Sequence, residues 1–465
     1  MRSKGWISVV LLVAGCAAVR NYDFELSGTL NAAALGDVDG ALKRLDANNP
    51  QAQKDLLYFF ERGMLERLRY RYDDSLKAWA AAQQYVESAD KRTAADLLRN
   101  ASSFVVSDKL RAYEAHDYEK VMLLTYMALD QLAKGEYEQA RVAIKQTHEL
   151  EASIGLARAR ALADTEAEAK KRGARTSFKE LNGYPVETID NPEVNGLKNS
   201  YQSALSHYLA GFVYEALGEP SLAAPGYRLA NELQPDKPAL EEALRGLDQR
   251  VSAAPDGMVD VLFIVSSGSA PALRAQQFRL PVPVNDAMVL ISYSFPVLLP
   301  GGFQDSPNEI TIGGAQRVAL TPLTSIDLMA RRSLKDDMPA IMLRATVRAT
   351  TSAMLQYQAQ RQHRDSQAAA AVGIAAIAAG ALLQSADDRT WRSLPAEVSI
   401  ARVRLPPGVH EVTLSSAFAG EQRVRINVSG RYAVIDFRVL ARQLFVHAPG
   451  ANTGSDEKRI REVSQ

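Results

Sequence analysis

The sequence predicts an α+β protein in which an all-helical solenoid, residues 16–250, precedes a mainly-β domain, residues 257–447, with a helical insertion at 338–385. Two observations support this fold class. Residues 25–250 are rich in Ala, Leu, Glu, Lys and Arg, and their apolar residues recur at helical spacing. After residue 255 the chain changes to short β-branched and aromatic runs separated by Gly, Pro, Asn or Asp, as in strands and turns. A length of 465 residues allows two or three domains.

The N-terminus resembles the signal peptide of bacterial lipoproteins. A short basic start is followed by an apolar run, residues 6–14, which is shorter than the roughly 20 residues of a membrane-spanning helix. The run ends in the letters VAGC at 13–16, which are similar to the lipobox. The resemblance implies that residues 1–15 are removed, that Cys16 becomes the acylated first residue, and that Ala17 directs export to the outer membrane. The alternative is an ordinary secretory signal whose cysteine is accidental or buried.

Composition and missing motifs exclude several function classes. Cys16 is the only cysteine of the chain, so disulfides, thiolate metal sites and thiol catalysis are not expected. The formal net charge is zero, which gives no indication of nucleic-acid binding. The sequence contains no G-x-S-x-G motif, no phosphate-binding G-x-x-x-x-G-K-[ST] motif and no histidine pair at the zinc-protease spacing. We therefore expect a non-enzymatic protein without a metal or cofactor.

Several segments of the helical half share parts of one repeat-like pattern. In this pattern a turn glycine is followed by a small residue five positions later, and a larger apolar residue comes four positions after the small one. The spacing is recognisable around Gly36, Ser75 and Gly135. The fullest copy resembles the tetratricopeptide repeat (TPR) at nearly every signature position, through Gly211, Tyr214, Gly218, Ala223, Tyr227, Ala230 and Pro235.

The residue types of this copy have a physical reason. We expect close helix contact at Gly211 and Ala223, a left-handed turn at Gly218 and a helix end before Pro235. The distances between copies are irregular, which predicts a TPR-like solenoid with inserted helices. The alternative is a helical bundle without true repeats.

Three segments of the C-terminal half carry specific predictions. Asp336 or Asp337 is expected to cap a helix that has Pro339 in its first turn. The uncharged run Ala368–Leu383 is expected to pack as a helix against the β domain or a second subunit, and the alternative is a helix inserted in a membrane. Residues 448–465 are expected to be a disordered tail.

Two residues need a separate interpretation. His207 lies on a repeat helix, where packing or partner contact is expected rather than catalysis. Trp391 lies between two arginines, and we interpret it as a core anchor at the entry to a strand, with one arginine paired to Asp387. The alternative for Trp391 is a binding spot.

A wider resemblance covers most of the mature chain. The segments that begin DYEKVMLLTY at 117, SYQSALSHYL at 200, DDMPAIMLRA at 336 and DDRTWRSLPA at 387 together resemble a largely uncharacterised family of bacterial TPR-containing outer-membrane lipoproteins. Members of that family tend to be encoded near lipoproteins similar to activators of penicillin-binding proteins and to curli-secretion components. The resemblance assigns no catalytic residue.

These observations predict a periplasmic scaffold that is anchored in the outer membrane through the lipid on Cys16 and binds protein partners of a cell-envelope assembly or secretion system. A scaffold of this kind is compatible with homo-oligomerisation, and nucleic acid is not an expected partner. The repeat signature places candidate partner-binding side chains on the inward face of the first helices, namely Phe60, Met64, Arg67, Tyr208, Phe212 and Glu215. The alternatives are an activator or enzyme of peptidoglycan or polysaccharide metabolism, and a membrane-inserting oligomer.

Overall fold

The structure is a computed structural model of the chain, and it describes residues 22–96, 112–172, 176–181, 183–254, 256–284, 287–302, 306–362, 386–417 and 419–450. Several predictions fall outside these described residues. They are the signal peptide 1–15, lipidation of Cys16, the helix at Ala368–Leu383 and the tail after residue 450.

The described chain is a mixed α+β protein, with helices in its N-terminal half and sheets in its C-terminal half, as predicted. The last helix of the first half ends at Ser252 and the first strand begins at Val259. The helices of the first half are α1 (Tyr22–Ala34), α2 (Val38–Asn48), α3 (Leu56–Leu68), α4 (Tyr72–Asp96), α5 (Asp117–Ala133), α6 (Tyr137–Arg172), α7 (Pro192–Gly196), α8 (Ala204–Ala216), α9 (Pro220–Leu233), α10 (Pro238–Arg245) and α11 (Leu247–Ser252).

Four helical hairpins, α1–α2, α3–α4, α5–α6 and α8–α9, are joined by the same three-residue turn. The middle residue of each turn has a positive φ, at Gly36 (84°), Tyr70 (61°), Gly135 (82°) and Gly218 (76°). The same two backbone hydrogen bonds close each turn, and in the last one Gly218 N donates to Glu215 O at 3.0 Å. The sequence predicts three of these turns from their glycines. Tyr70 takes the glycine position in the remaining turn, so that turn has no glycine to mark it.

Glycine permits close helix packing at the predicted place. A Cβ atom added to Gly211 would lie 2.6 Å from Tyr227 Cδ1, and one added to Gly226 would lie 2.7 Å from the backbone nitrogen of Gly211. Ala223 is fully buried beside them. The prediction of close contact at Gly211 and Ala223 is therefore confirmed, because only small residues allow α8 and α9 to approach this closely.

The strands among the described residues form three sheets. A five-stranded sheet has the order β11-β10-β1-β7-β6, a four-stranded sheet has the order β5-β4-β8-β9, and β2 and β3 form a separate hairpin. The strands are β1 (Val259–Ser267), β2 (Ala272–Val284), β3 (Ala287–Leu299), β4 (Glu309–Ile312), β5 (Gln316–Ala319), β6 (Thr321–Ser325), β7 (Glu397–Leu405), β8 (Gly408–Ser416), β9 (Gly420–Val428), β10 (Tyr432–Leu440) and β11 (Gln443–His447). β1 and β10 are parallel, and the other paired strands are antiparallel.

The five-stranded sheet lies between the helices and the four-stranded sheet. β1 is buried along its whole length. Leu262 and Ile264 belong to the core shared with the helices, whereas Val261, Phe263 and Val265 belong to the core between the two sheets. This alternation gives three layers, and the core that contains Leu262 and Ile264 joins the helices to the five-stranded sheet.

The predicted start of the helical insertion is wrong. Helix α12 (Ile326–Gln362) begins twelve residues before residue 338, and Leu328 N donates to Ser325 Oγ at 3.2 Å at its start. Asp336 accepts from Arg332 Nε at 2.9 Å, and Asp337 pairs with Arg158 of α6. Both acids therefore lie inside the helix and serve as ion-pair partners, and Pro339 also lies within the helix rather than in its first turn.

Candidate functional site

The six predicted partner-binding side chains lie on α3 and α8, and none is more than 1 % exposed. They face the five-stranded sheet and the segment 386–396 that leads into β7. The expectation that they line a free groove is therefore wrong. The chain's own C-terminal half fills the groove, because an apolar and aromatic helix face gains more from burial against the sheet than from contact with water.

Trp391 is the central side chain of this junction. Its ring stacks on Phe60 with centroids 4.4 Å apart, and Trp79 and Tyr126 lie at 6.3 and 6.4 Å. The indole N–H donates to Ser393 Oγ at 3.0 Å. The interpretation of Trp391 as a core anchor is confirmed, since the side chain is completely buried among aromatic rings.

The arginine pairing beside this anchor is also confirmed. Arg389 Nη2 lies 2.7 Å from Asp387 Oδ2, so the Asp387 carboxylate holds the guanidinium next to the turn. Arg389 N donates to the other Asp387 oxygen at 3.1 Å, so Asp387 also holds the local backbone.

Two buried glutamates hold the backbone on either side of Trp391. Glu61 of α3 accepts from Arg392 N at 2.8 Å and Ser393 N at 3.2 Å. Glu119 of α5 accepts from Trp391 N at 2.6 Å. Burial raises the pKa of Glu61 to about 7, although its hydrogen bonds to Ser393 and Arg392 oppose the rise. Sequence reasoning missed both glutamates.

Arg67 links two helices to the sheet. Its guanidinium donates to Asp130 of α5 and to Asp436 of β10, the latter at 2.6 Å. The cation also lies 5.6 Å from the ring centroid of Tyr126. Burial raises the pKa of Asp130 to about 6 and also raises that of Asp436, while Arg67 favours their charged forms. The cluster binds three elements together in a site shielded from water.

Glu215 is the centre of a second ionic cluster. Its carboxylate accepts from Arg250 of α11 at 2.7 Å, from Arg402 of β7 at 2.6 Å and from Tyr227 Oη at 2.6 Å. Arg402 also donates to Asp260 of β1 at 2.7 Å. Burial would raise the pKa of Glu215, but the bonds from Arg250 and Arg402 outweigh it and hold the pKa below its usual value.

Arg402 also connects this cluster to a predicted partner-binding residue. Its guanidinium lies 5.1 Å from the ring centroid of Phe212, which is a cation–π distance. The Phe212 ring in turn meets Tyr432 of β10 edge to face, with centroids 5.7 Å apart. Phe212 is therefore part of the helix–sheet junction.

His207 is packed between helices. Its Nε2 lies 2.9 Å from Glu151 Oε2 of α6, and its ring stacks on His148 with centroids 5.2 Å apart. Burial lowers the pKa of His148, and the neighbouring His207 lowers it further. In the described part of the chain, no three His, Cys, Asp or Glu side chains are grouped so that they could hold a metal ion.

A surface groove on the helical layer was not predicted. It has a volume of about 290 Å³ and lies between α4 and α6, with α5 at its floor. Its lining includes four glutamines, Gln83, Gln131, Gln139 and Gln146. A sequence signal exists, because residues 139, 142, 143 and 146 follow the i, i+3, i+4, i+7 spacing of one helix face. The signal is weak because glutamine is polar and that face reads as an ordinary solvated surface.

Comparison with known proteins gives no relative for this chain, since no family model, curated protein or solved structure matches it. None of the helices in the described ranges combines the length and the apolar character that crossing a membrane requires.

Proposed function

We propose that the protein is a non-enzymatic scaffold of the bacterial cell envelope, tethered to the outer membrane through the lipid on Cys16 and facing the periplasm. In this proposal the four hairpins are an irregular TPR-like solenoid, and the partners are proteins of an envelope assembly or secretion system. The lipobox-like sequence and the resemblance to TPR-containing lipoproteins support the outer-membrane localisation and the repeat type.

The observation that carries the scaffold role is the ionic linkage between the helical layer and the sheet. Arg67 joins α3 to Asp130 of α5 and Asp436 of β10, and Arg402 joins β7 to Glu215 of α8. Breaking such buried pairs leaves uncompensated charges, so the two layers are held as one body. A partner that binds to a preorganised surface avoids the cost of ordering that surface.

Because of this linkage, the inward helix face is not available as the partner surface. The inward side chains are occupied within the chain, so the proposal assigns partner binding to the outer surface of the helical hairpins. Phe212→Ala and Tyr208→Ala are then expected to destabilise the fold rather than to remove a partner selectively, since both side chains are buried.

Metabolic labelling tests whether Cys16 carries the proposed lipid anchor. Cells fed labelled palmitate are expected to yield labelled protein, and the Cys16→Ala variant is expected to carry no label and to be released into the soluble periplasm. Unlabelled wild-type protein that keeps residues 1–15 would contradict the anchor.

Crosslinking in cells tests the scaffold role. The acylated protein is expected to recover the same envelope proteins reproducibly, as identified by mass spectrometry, and the Cys16→Ala variant is expected to recover fewer because it is no longer held at the membrane. Recovery of no envelope protein above the background of an unrelated lipoprotein would contradict the scaffold.

A further inference from the structure

The groove between α4 and α6 differs chemically from the rest of the helical surface. Among the described residues, the seven that line it are four glutamines, two aliphatic residues and one methionine, and none carries a charge. The charged groups around its α5–α6 end are paired with one another, since Lys134 contacts both Asp73 and Glu136. A concavity without net charge favours a ligand without net charge.

The glutamines carry both donors and acceptors, and Gln83 Nε2 donates to Glu87 Oε1 at 3.1 Å. Gln139 and Gln146 are seven residues apart on α6, which corresponds to about 10.5 Å along the helix axis. An extended peptide advances about 3.3 Å per residue, so this interval matches about three residues of an extended chain. Val142, which is 58 % exposed, lies between these two residues along the helix and offers an apolar surface for small side chains.

One acceptor in the groove has no donor. Gln131 Oε1 is shielded from solvent and has no hydrogen-bond partner among the described residues. A shielded acceptor without a donor is unfavourable. Rotation of the Gln131 carboxamide toward the groove would allow a ligand N–H to reach this oxygen and recover that free energy. A peptide backbone supplies an N–H and a C=O at every residue, which is the complement of a carboxamide.

We propose that this groove binds an extended, uncharged peptide segment of a partner protein, with the peptide backbone hydrogen-bonded to Gln131, Gln139 and Gln146. The biological identity of the partner rests on the proposed scaffold function. The chemistry of the groove does not depend on the scaffold function, so an experiment can contradict either proposal without contradicting the other.

The test is a titration of the full mature chain labelled with ¹³C at the methionine methyl groups. Met127 lies in the groove and reports binding, whereas Met338 is completely buried and reports the fold. The probe is acetyl-Ala-Ala-Ala-amide. We expect a saturable shift of the Met127 methyl signal, assigned with Met127→Ile, and no shift of Met338.

Variants separate backbone recognition from general contact. Gln131→Leu is expected to weaken the tripeptide about tenfold, because the acceptor is lost. Gln51→Leu makes the same chemical change in an exposed loop and is expected to leave the affinity unchanged. The Gln146→Leu variant is expected to weaken binding severalfold and provides a second test if Gln131→Leu shifts the Met338 signal. The N-methylated tripeptide, which lacks backbone donors, is expected not to bind.

Four results would overturn the proposal. They are the absence of any saturable Met127 shift, equal affinities of Gln131→Leu and Gln51→Leu, a shift with the neutral sugar diacetylchitobiose but not with the tripeptide, and a shift that depends only on protein concentration, as contact with a second copy would produce. Binding of the tripeptide by a protein that carries no lipid would retain this inference and contradict only the proposed anchor.

Discussion

The two faces of the helical layer differ in how their polar groups are satisfied. On the sheet side, Arg67 and Arg402 each reach two carboxylates, and Glu61 and Glu119 receive backbone N–H groups of the segment around Trp391. The polar side chains that line the groove are neutral carboxamides, and the oxygen of one of them is shielded and has no partner in the described part of the chain. The buried charges of this layer therefore lie at an intramolecular junction, whereas the side chains that line the open groove are uncharged.

The largest loss of stability is expected at Trp391. Trp391→Ala removes the ring that Phe60, Trp79 and Tyr126 surround, and it is expected to lower the free energy of unfolding by about 4 kcal/mol. Urea denaturation followed by circular dichroism measures the loss. Val409→Ala, at an exposed position, is expected to change stability by less than about 0.5 kcal/mol. A loss below about 1 kcal/mol at Trp391 would show that the junction is not the core of the protein.

The next largest effect is expected at Arg67. Arg67→Met leaves Asp130 and Asp436 buried without their cation. It is expected to lower the free energy of unfolding by about 3 kcal/mol. In a double-mutant cycle measured by denaturation, Arg67→Met combined with Asp436→Asn is expected to cost less than the sum of the two single changes. Simple additivity would indicate that Arg67 and Asp436 do not interact.

The pH dependence of the free energy of unfolding tests the buried carboxyl group of Glu61. The pKa of Glu61 rises from 4.5 to about 7 on folding, so between these values the folded chain binds the proton more tightly than the unfolded chain. This group therefore contributes a free energy of unfolding that falls as pH rises from about 5 to 7, by at most about 1.4 kcal/mol per pH unit. The Glu61→Gln variant is expected to flatten that decline.

Asp130 contributes in the same direction, because its pKa rises from 3.8 to about 6. The difference between wild type and Glu61→Gln therefore isolates Glu61. Denaturation midpoints measured across this range provide the slope, and Glu193→Gln, at an exposed position, serves as the matched control. An identical slope in wild type and Glu61→Gln would rule out the raised pKa.

The smallest effect is expected in the groove. Gln139→Ala changes an exposed side chain and is expected to alter the free energy of unfolding by less than about 0.5 kcal/mol. Thermal denaturation checks this value. A loss above about 1 kcal/mol would mean that Gln139 supports the fold and that the groove face is a second structural junction.

The correct and incorrect predictions differ in how far apart the interacting residues lie. Gly218 and Gly211 report contacts within one hairpin, so their spacing was sufficient to predict the α8–α9 turn and its close packing. The partner of Arg67 on the sheet is 369 residues away, and nothing in the local spacing around Arg67 indicates Asp436. The groove was missed for a related reason, since its walls come from three helices and its polar residues resemble solvated surface.

The sequence alone was sufficient to predict that helices precede strands and that glycines mark three of the four hairpin turns. These follow from residue periodicity and local backbone preferences, which act over a few residues. The tertiary structure was needed to show that the inward helix face is filled by the chain's own sheet and that Glu61 and Glu119 hold the segment around Trp391. Those outcomes depend on which distant surfaces bury each other, and burial is a property of the whole fold.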